Sequence, residues 1–271
     1  MRSSIGLSAS LAFLFSVTVF TMNGNAQSAL QPVRNPQALT LVAQSLVAMG
    51  GVGPLAQVQN SFVSGTSVVS AANADQAAQQ TATTNFTWTY AGTQFRLEDT
   101  AATGSHTLVS NGGSPQDYHD GGWFIVPPVT ARTNLPYHIP ALALYEEIQS
   151  PGYSFIYVGA TTLNGKTVIE VQTRDDSDLT GHSFTPQNWY FDPATAFPLR
   201  VEYQIPISAN ATDSLEASMT FSNFQTVSGI AVPFQLNVTD GPVSFVSTVT
   251  SATFNASVDP SGFAPSSGGA Q

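Results

Sequence analysis

The run Asp117-Tyr118-His119-Asp120 is the most reactive stretch of this chain. Two carboxylates flank an imidazole, a set that can hold a divalent metal or move a proton near neutral pH. It stands before Trp123 in a loop rich in Gly, Asp and Ser, where the same residues also make an ordinary solvated turn. A second oxygen-rich run, Asp175-Asp176-Ser177-Asp178-Leu179-Thr180-Gly181, imitates the start of a calcium loop when counted from Asp176, with Asp178, Thr180 and Gly181 in the expected places. Gln187 stands where that loop needs a bidentate Glu, and strand-like segments flank it. An exposed acidic connection is therefore the default reading.

Other chemistry is sparse. His106, His119, His138 and His182 are scattered, none at metal-ligand spacing from another. The sequence contains no G-x-S-x-G elbow, no H-E-x-x-H pair and no cysteine. Gly50-Gly51-Val52-Gly53 follows a helical segment instead of joining a strand to a helix, which argues against a phosphate loop. No catalytic set, metal or cofactor is expected. A hydrolase built on Asp117, His119 and Asp120 is the remaining enzymatic alternative, and it requires those side chains to converge in a cleft.

Composition narrows the classes further. The 271 residues carry a formal net charge of -10 with only 7 Lys+Arg, a balance that repels phosphate backbones and anionic lipid headgroups. Nucleic-acid binding is thereby disfavoured. With 0 Cys, no disulfide staples the fold and no lipoprotein-type acylation site exists, so stability must come from burial. Met1-Arg2, the apolar Leu7 to Met22 and the small-x-small Gly24-Asn25-Ala26 spell a secretory leader. The expected organisation is a leader over 1–26, one β-rich domain over 27–258 and a disordered polar tail over 259–271, in an exported, periplasmic or extracellular protein with no stable membrane insertion after leader cleavage.

The elements that would position any site are mostly strands. Asn35-Pro36 caps a helix in which Leu39, Val42, Leu46 and Met49 recur at helical spacing, and Gly50-Gly51 ends it. From Val58 onward short runs alternate apolar and polar residues. The clearest are Asn85 to Tyr90, Leu199 to Gln204 and Leu215 to Ser222, with a hairpin signal at Asn164-Gly165. Prolines interrupt the pattern between Pro127 and Pro151, where Leu142, Leu144, Tyr145 and Ile148 cluster on a short helix that would form a lid or plug. The fold class is mainly β with a few helices. About ten to twelve antiparallel strands would form one sheet, which at that length must curl into a half-open barrel around the N-terminal helix and the lid helix.

With the strands paired in order, Phe86, Trp88, Tyr90, Phe95 and Trp123 would share one concave face with Tyr157, Trp189, Phe191, Tyr203 and Phe221. Rings in a packed core explain most such patterns. In a trough that curls without closing, they would instead line a dry apolar pocket.

The chain resembles the periplasmic lipoprotein-carrier, or outer-membrane lipoprotein-sorting, superfamily. The resemblance is carried by Ala48-Met49-Gly50-Gly51 after the first helix, Phe95-Arg96-Leu97-Glu98, and Leu108-Val109-Ser110-Asn111-Gly112 followed by Trp123. It continues in Trp189-Tyr190-Phe191-Asp192-Pro193, Pro198-Leu199-Arg200-Val201-Glu202-Tyr203 and Val227-Ser228-Gly229-Ile230-Ala231-Val232-Pro233. It implies an exported bacterial protein with a half-open antiparallel barrel, helices over its concave face, and Arg96 as a helix-anchoring arginine. It also implies carriage without chemistry, of a hydrophobic small molecule, a lipid or a lipidated protein. The alternative is a structural or interaction module of the cell envelope with a filled core.

Overall fold

A computed structural model describes residues 31–71, 80–102, 104–113, 115–119, 121–126, 138–177, 186–206 and 214–265. The expected leader lies outside this set. So do Asp120, Asp178, Thr180, residues 127–137 of the proline-rich segment and residues 266–271 of the expected tail.

Helix α1, Pro36–Ala48, begins as its capping residues dictate. Asn35 Oδ1 accepts from the backbone N–H groups of Gln37 (2.9 Å) and Ala38 (3.2 Å), satisfying donors that the first turn leaves free. The helix ends where Gly50 and Gly51 adopt positive φ and the Gly51 N–H returns to the Leu46 carbonyl at 2.8 Å. A second short helix, α2 (Val52–Ala56), follows directly.

Among the described residues, thirteen strands form one open antiparallel sheet. In chain order they are β1 (Ser61–Ala71), β2 (Gln80–Ala91), β3 (Gln94–Ala101), β4 (Gly104–Asn111), β5 (Gln116–His119), β6 (Gly122–Ile125) and β7 (Tyr153–Leu163). The remainder are β8 (Lys166–Asp175), β9 (Gln187–Phe191), β10 (Pro198–Pro206), β11 (Ser214–Val227), β12 (Ile230–Asp240) and β13 (Val243–Phe254). Their spatial order is β6-β5-β4-β3-β2-β1-β13-β12-β11-β10-β9-β8-β7. Two meanders therefore meet at the β1–β13 pair, and strands β6 and β7, successive in sequence, lie at opposite edges. The chain between them must cross from edge to edge, and helix α3 (Pro140–Gln149) is part of that crossing.

Bulges help the sheet curl. Register slips between Ser64 and Gly65 in β1, between Tyr157 and Gly159 in β7 and between Pro198 and Arg200 in β10 each add local bend and twist. Gly65 is required at its slip, because a methyl group there would lie 2.1 Å from the Thr248 carbonyl oxygen and 2.6 Å from the Phe86 ring. The Asn164-Gly165 hairpin turn has φ of 51° and 77°, the left-handed pair that a two-residue turn of this type demands.

The core lies between the concave face and the helices. Val42 and Leu46 of α1, Met49 just after it and Leu144 of α3 pack with Phe86, Trp189, Phe191 and Phe221, all of them buried. Fully burying side chains of this size contributes about 1.5–3 kcal/mol each. Helix α3 is buried on nearly all sides, so it fills the trough more than it covers it.

Three expectations are corrected. The strand count is thirteen because Gln116–His119, read as loop, is a strand: it pairs with Thr107 to Val109 on one side and Gly122 to Ile125 on the other. Pairing on both edges overrides the poor strand propensity of Asp and His. The tail expected from 259 is structured at its start, where Pro260–Phe263 forms a 3-10 turn against β3 and β4 and buries Phe263. Arg96 anchors that turn and not a helix, donating to the Gly262 carbonyl at 3.1 Å and pairing with Glu98 at 2.5 Å.

Candidate ligand-binding site

The arginine that holds a helix is Arg34. Its guanidinium donates to the carbonyls of Ile148 (3.0 Å), Ser150 (3.1 Å) and Tyr153 (3.4 Å), at and beyond the C-terminal end of α3, where the helix leaves carbonyls without intrahelical donors. Residues around it pair with β7: the Phe155 N–H donates to the Val33 carbonyl at 2.6 Å, and the Asn35 N–H to the Phe155 carbonyl at 2.9 Å. Beside this junction Asp176 is buried and ion-paired to Arg174 at 2.6 Å, and it also accepts from the Ser154 hydroxyl. Asp175 accepts from the Ser177 N–H at 2.9 Å. These carboxylates of the calcium-like run are bound up in the protein's own contacts.

Toward the N-terminal end of α3 the curled sheet leaves a cavity of about 430 Å³. That volume falls within the usual range of small-ligand sites. Register explains its walls. Met219, Val238, Phe245 and Val69 are successive cross-strand partners on β11, β12, β13 and β1, and Trp88, Leu97 and Leu108 form a corresponding row on β2, β3 and β4. Tyr90 and Tyr203 add rings from the two halves of the sheet. Burial raises both phenol pKa values beyond the ordinary range, the effect on Tyr203 being increased by Asp240.

Polar groups interrupt this apolar wall. His138, just before α3, is 4% exposed, stands within 4.8 Å of the Trp88 ring and 4.9 Å of the Tyr90 ring between centroids, and has no partner for Nε2. Burial lowers its pKa to about 3, so the ring is neutral at physiological pH. Asp240 is pushed up to about 6 by burial. Asp99 is raised by burial and partly lowered again by His106. The Ser67 and Ser247 hydroxyls satisfy one another at 2.6 Å.

Of the aromatic residues expected to line a pocket, the structure brings Trp88, Tyr90 and Tyr203 to the cavity. Phe86, Trp189, Phe191 and Phe221 are packed in the core, and Phe95 is buried beside Tyr90 and Leu108. Tyr157 faces a shallow groove along α1. Trp123 belongs to the register row of Glu98, Thr107 and Tyr118, on the face opposite the Leu97 row, so it points away from the cavity. Lid residues Leu142 and Leu144 are buried, while Tyr145 and Ile148 are half-buried against the core. Leu142 and Tyr145 also border a smaller cleft of about 170 Å³ between α2, α3 and β2.

The Asp117 cluster does converge, with a different partner. His106 Nε2 lies 2.7 Å from Asp117 Oδ1, and His119 Nδ1 lies 3.2 Å from Oδ2. Asp117 follows Leu97 and Leu108 in the inward register row, and His106 itself lines the cavity. Among the described residues no group of three His, Cys, Asp or Glu could hold a metal ion. Sequence spacing had no way to single out His106, Asp99, His138 or Asp240, because only strand register and the edge-to-edge crossing gather them. A larger depression of about 750 Å³ runs over Gln172, Asn188, Glu202 and Ser218, the outward row of β8 to β11, and is lined by polar and apolar residues together.

The fold and cavity define a helix-filled half-barrel with an internal pocket. Two solved structures are similar to it in fold. A putative outer membrane lipoprotein-sorting protein domain from Vibrio parahaemolyticus matches 84% of this chain and 96% of its own, with a TM-score of 0.50 and 14% identity. A LolA superfamily protein from Nitrosomonas europaea matches 84% of this chain and 97% of its own, with a TM-score of 0.52 and 10% identity. The likeness is one of fold, and it agrees with the resemblance read from the sequence. No protein-family model and no curated protein matches the chain. Among the described residues no helix is long and apolar enough to cross a membrane.

Proposed function

We propose that this chain is an exported, non-enzymatic binding protein that shelters the apolar part of a lipid, an acyl chain or a lipidated protein in its concave cavity. The observation that carries this reading is the cavity of about 430 Å³ walled by Trp88, Leu97, Leu108, Met219, Val238 and Phe245. An apolar void in a folded domain forgoes packing contacts, and a ligand restores them. The leader-like residues 1–26 support export, and the shared fold with lipoprotein-sorting structures supports a lipid-related cargo.

Native mass spectrometry of gently purified protein tests this directly. A co-bound apolar mass is expected, and a clean apo mass after exposure to lipid would contradict it. One observation favours the envelope-module reading instead: edge strand β6 exposes Phe124 (49%) and Ile125 (79%), an apolar edge open to pairing with another chain. That reading predicts an apo cavity together with self-association or partner binding that Ile125→Lys abolishes.

A further inference from the structure

Asp99 of β3 and Asp240 at the end of β12 both line the cavity, and none of its described lining residues is Lys or Arg. Asp240 Oδ1 is buried without a hydrogen-bond partner. Neither carboxyl makes an ion pair with an Arg or Lys among the described residues. His106 acts on Asp99 from the neighbouring strand, but its Nε2 lies 2.7 Å from Asp117 Oδ1. Removing two carboxyl groups from water without a Lys or Arg partner costs stability, and burial raises the pKa of both.

The rest of the wall suits a cation as well. Trp88, Tyr90, Tyr203 and Phe245 present rings to the same space, and aromatic faces attract positive charge. His138 is neutral and so adds no repulsion, and its Nε2 and the Thr84 hydroxyl are buried without partners at the wall. An apolar chain with a carboxylate or phosphate head would bring a third negative charge to this space. A chain with a positive head would pair with what is already there.

We propose that the cavity selects amphiphiles whose apolar body ends in a positively charged nitrogen, as an ammonium or quaternary ammonium group. This inference rests on the reading of the cavity as an apolar-ligand site and adds its charge preference. The carboxyls of Asp99 and Asp240 supply the counter-charge, the rings supply the faces, and the row from Val69 to Met219 receives the chain.

Displacement of the apolar dye N-phenyl-1-naphthylamine from the full-length mature protein, at mildly alkaline pH, separates the two readings. Decyltrimethylammonium, decanol and decanoate present one chain with three heads. The cation should displace the dye at a concentration about tenfold lower than decanol, with decanoate weakest. Asp99→Asn with Asp240→Asn, shown folded by circular dichroism, should bring the cation to within about threefold of decanol. Equal displacement by all three heads, or a cation preference that survives in the folded double variant, overturns the charge preference and leaves the apolar cavity standing. No dye binding overturns both. Should the double variant fail to fold, the wild-type ranking and the two single variants decide.

Discussion

Glu147 on α3 allows the most quantitative test of how the plug helix is held. Its side chain is 1% exposed, and neither carboxyl oxygen has a partner at hydrogen-bonding geometry. Burial pushes its pKa from 4.5 up to about 8, with Thr173 and Gln187 opposing the shift and Glu146 and Asp175 adding to it. The folded protein therefore holds a proton there that the unfolded chain gives up. Below about pH 4.5 both states are protonated and the group contributes no pH dependence. Between 4.5 and about 8 the unfolded chain ionises alone, so stability falls as pH rises, and above about 8 both states are ionised and the loss levels off.

At about 1.4 kcal/mol per pH unit, the full shift amounts to a loss of as much as about 5 kcal/mol. Glu146, raised to about 7, and Asp240, raised to about 6, add slopes of the same sign. Glu147→Gln keeps the shape and removes the ionisation, and its amide can donate toward Thr173 and Gln187. Urea unfolding followed by tryptophan fluorescence, at about pH 5 and about pH 9, gives the two stabilities. Wild type should lose several kcal/mol more than the variant across that interval, and the variant should be the more stable protein at the alkaline end. Parallel losses in the two proteins would refute the buried, protonated Glu147.

Other perturbations follow from the same structure. His138, lowered to about 3 by burial, has the opposite sign: stability should fall as pH drops from 6.5 toward 3, and His138→Phe should flatten that acid limb in thermal melts. Gly50→Ala would place a methyl group 2.0 Å from the Gly229 carbonyl oxygen at a φ of 121°, so denaturant titration should show a loss of at least about 2 kcal/mol. Arg34→Ala should cost about 1–2 kcal/mol and speed amide exchange at the end of α3, with Arg34→Lys a poor substitute because one ammonium cannot span three carbonyls. Arg96→Ala should loosen only the C-terminal turn, seen as faster exchange near Phe263.

Local signals in the sequence carried well into the structure. Asn35-Pro36 caps α1 and Asn164-Gly165 turns a hairpin because both depend on a few adjacent residues. Trp189 and Phe191, expected on the concave face, are buried, and Tyr190 between them is half-buried. The site was less legible. Phe86 and Trp88 share one face of one strand, yet Phe86 is packed in the core while Trp88 borders the cavity, a difference set by where the helices lie. The β1–β13 pairing joins residues far apart in sequence, and it alone makes β6 and β7 opposite edges. Nothing local marks Arg34 over Arg96 as the residue that meets α3, because the three carbonyls it binds lie across that same crossing.

The central claim is an open apolar cavity inside the curled sheet, and blocking it is the most direct measurement. Titration of N-phenyl-1-naphthylamine by fluorescence should saturate with one dye per chain in the wild type. Val238→Phe, which extends a ring into the space between Met219 and Phe245, should abolish that binding while circular dichroism and melting remain those of a folded protein. Absence of dye binding in the wild type, or undiminished binding in a folded Val238→Phe protein, would contradict the account.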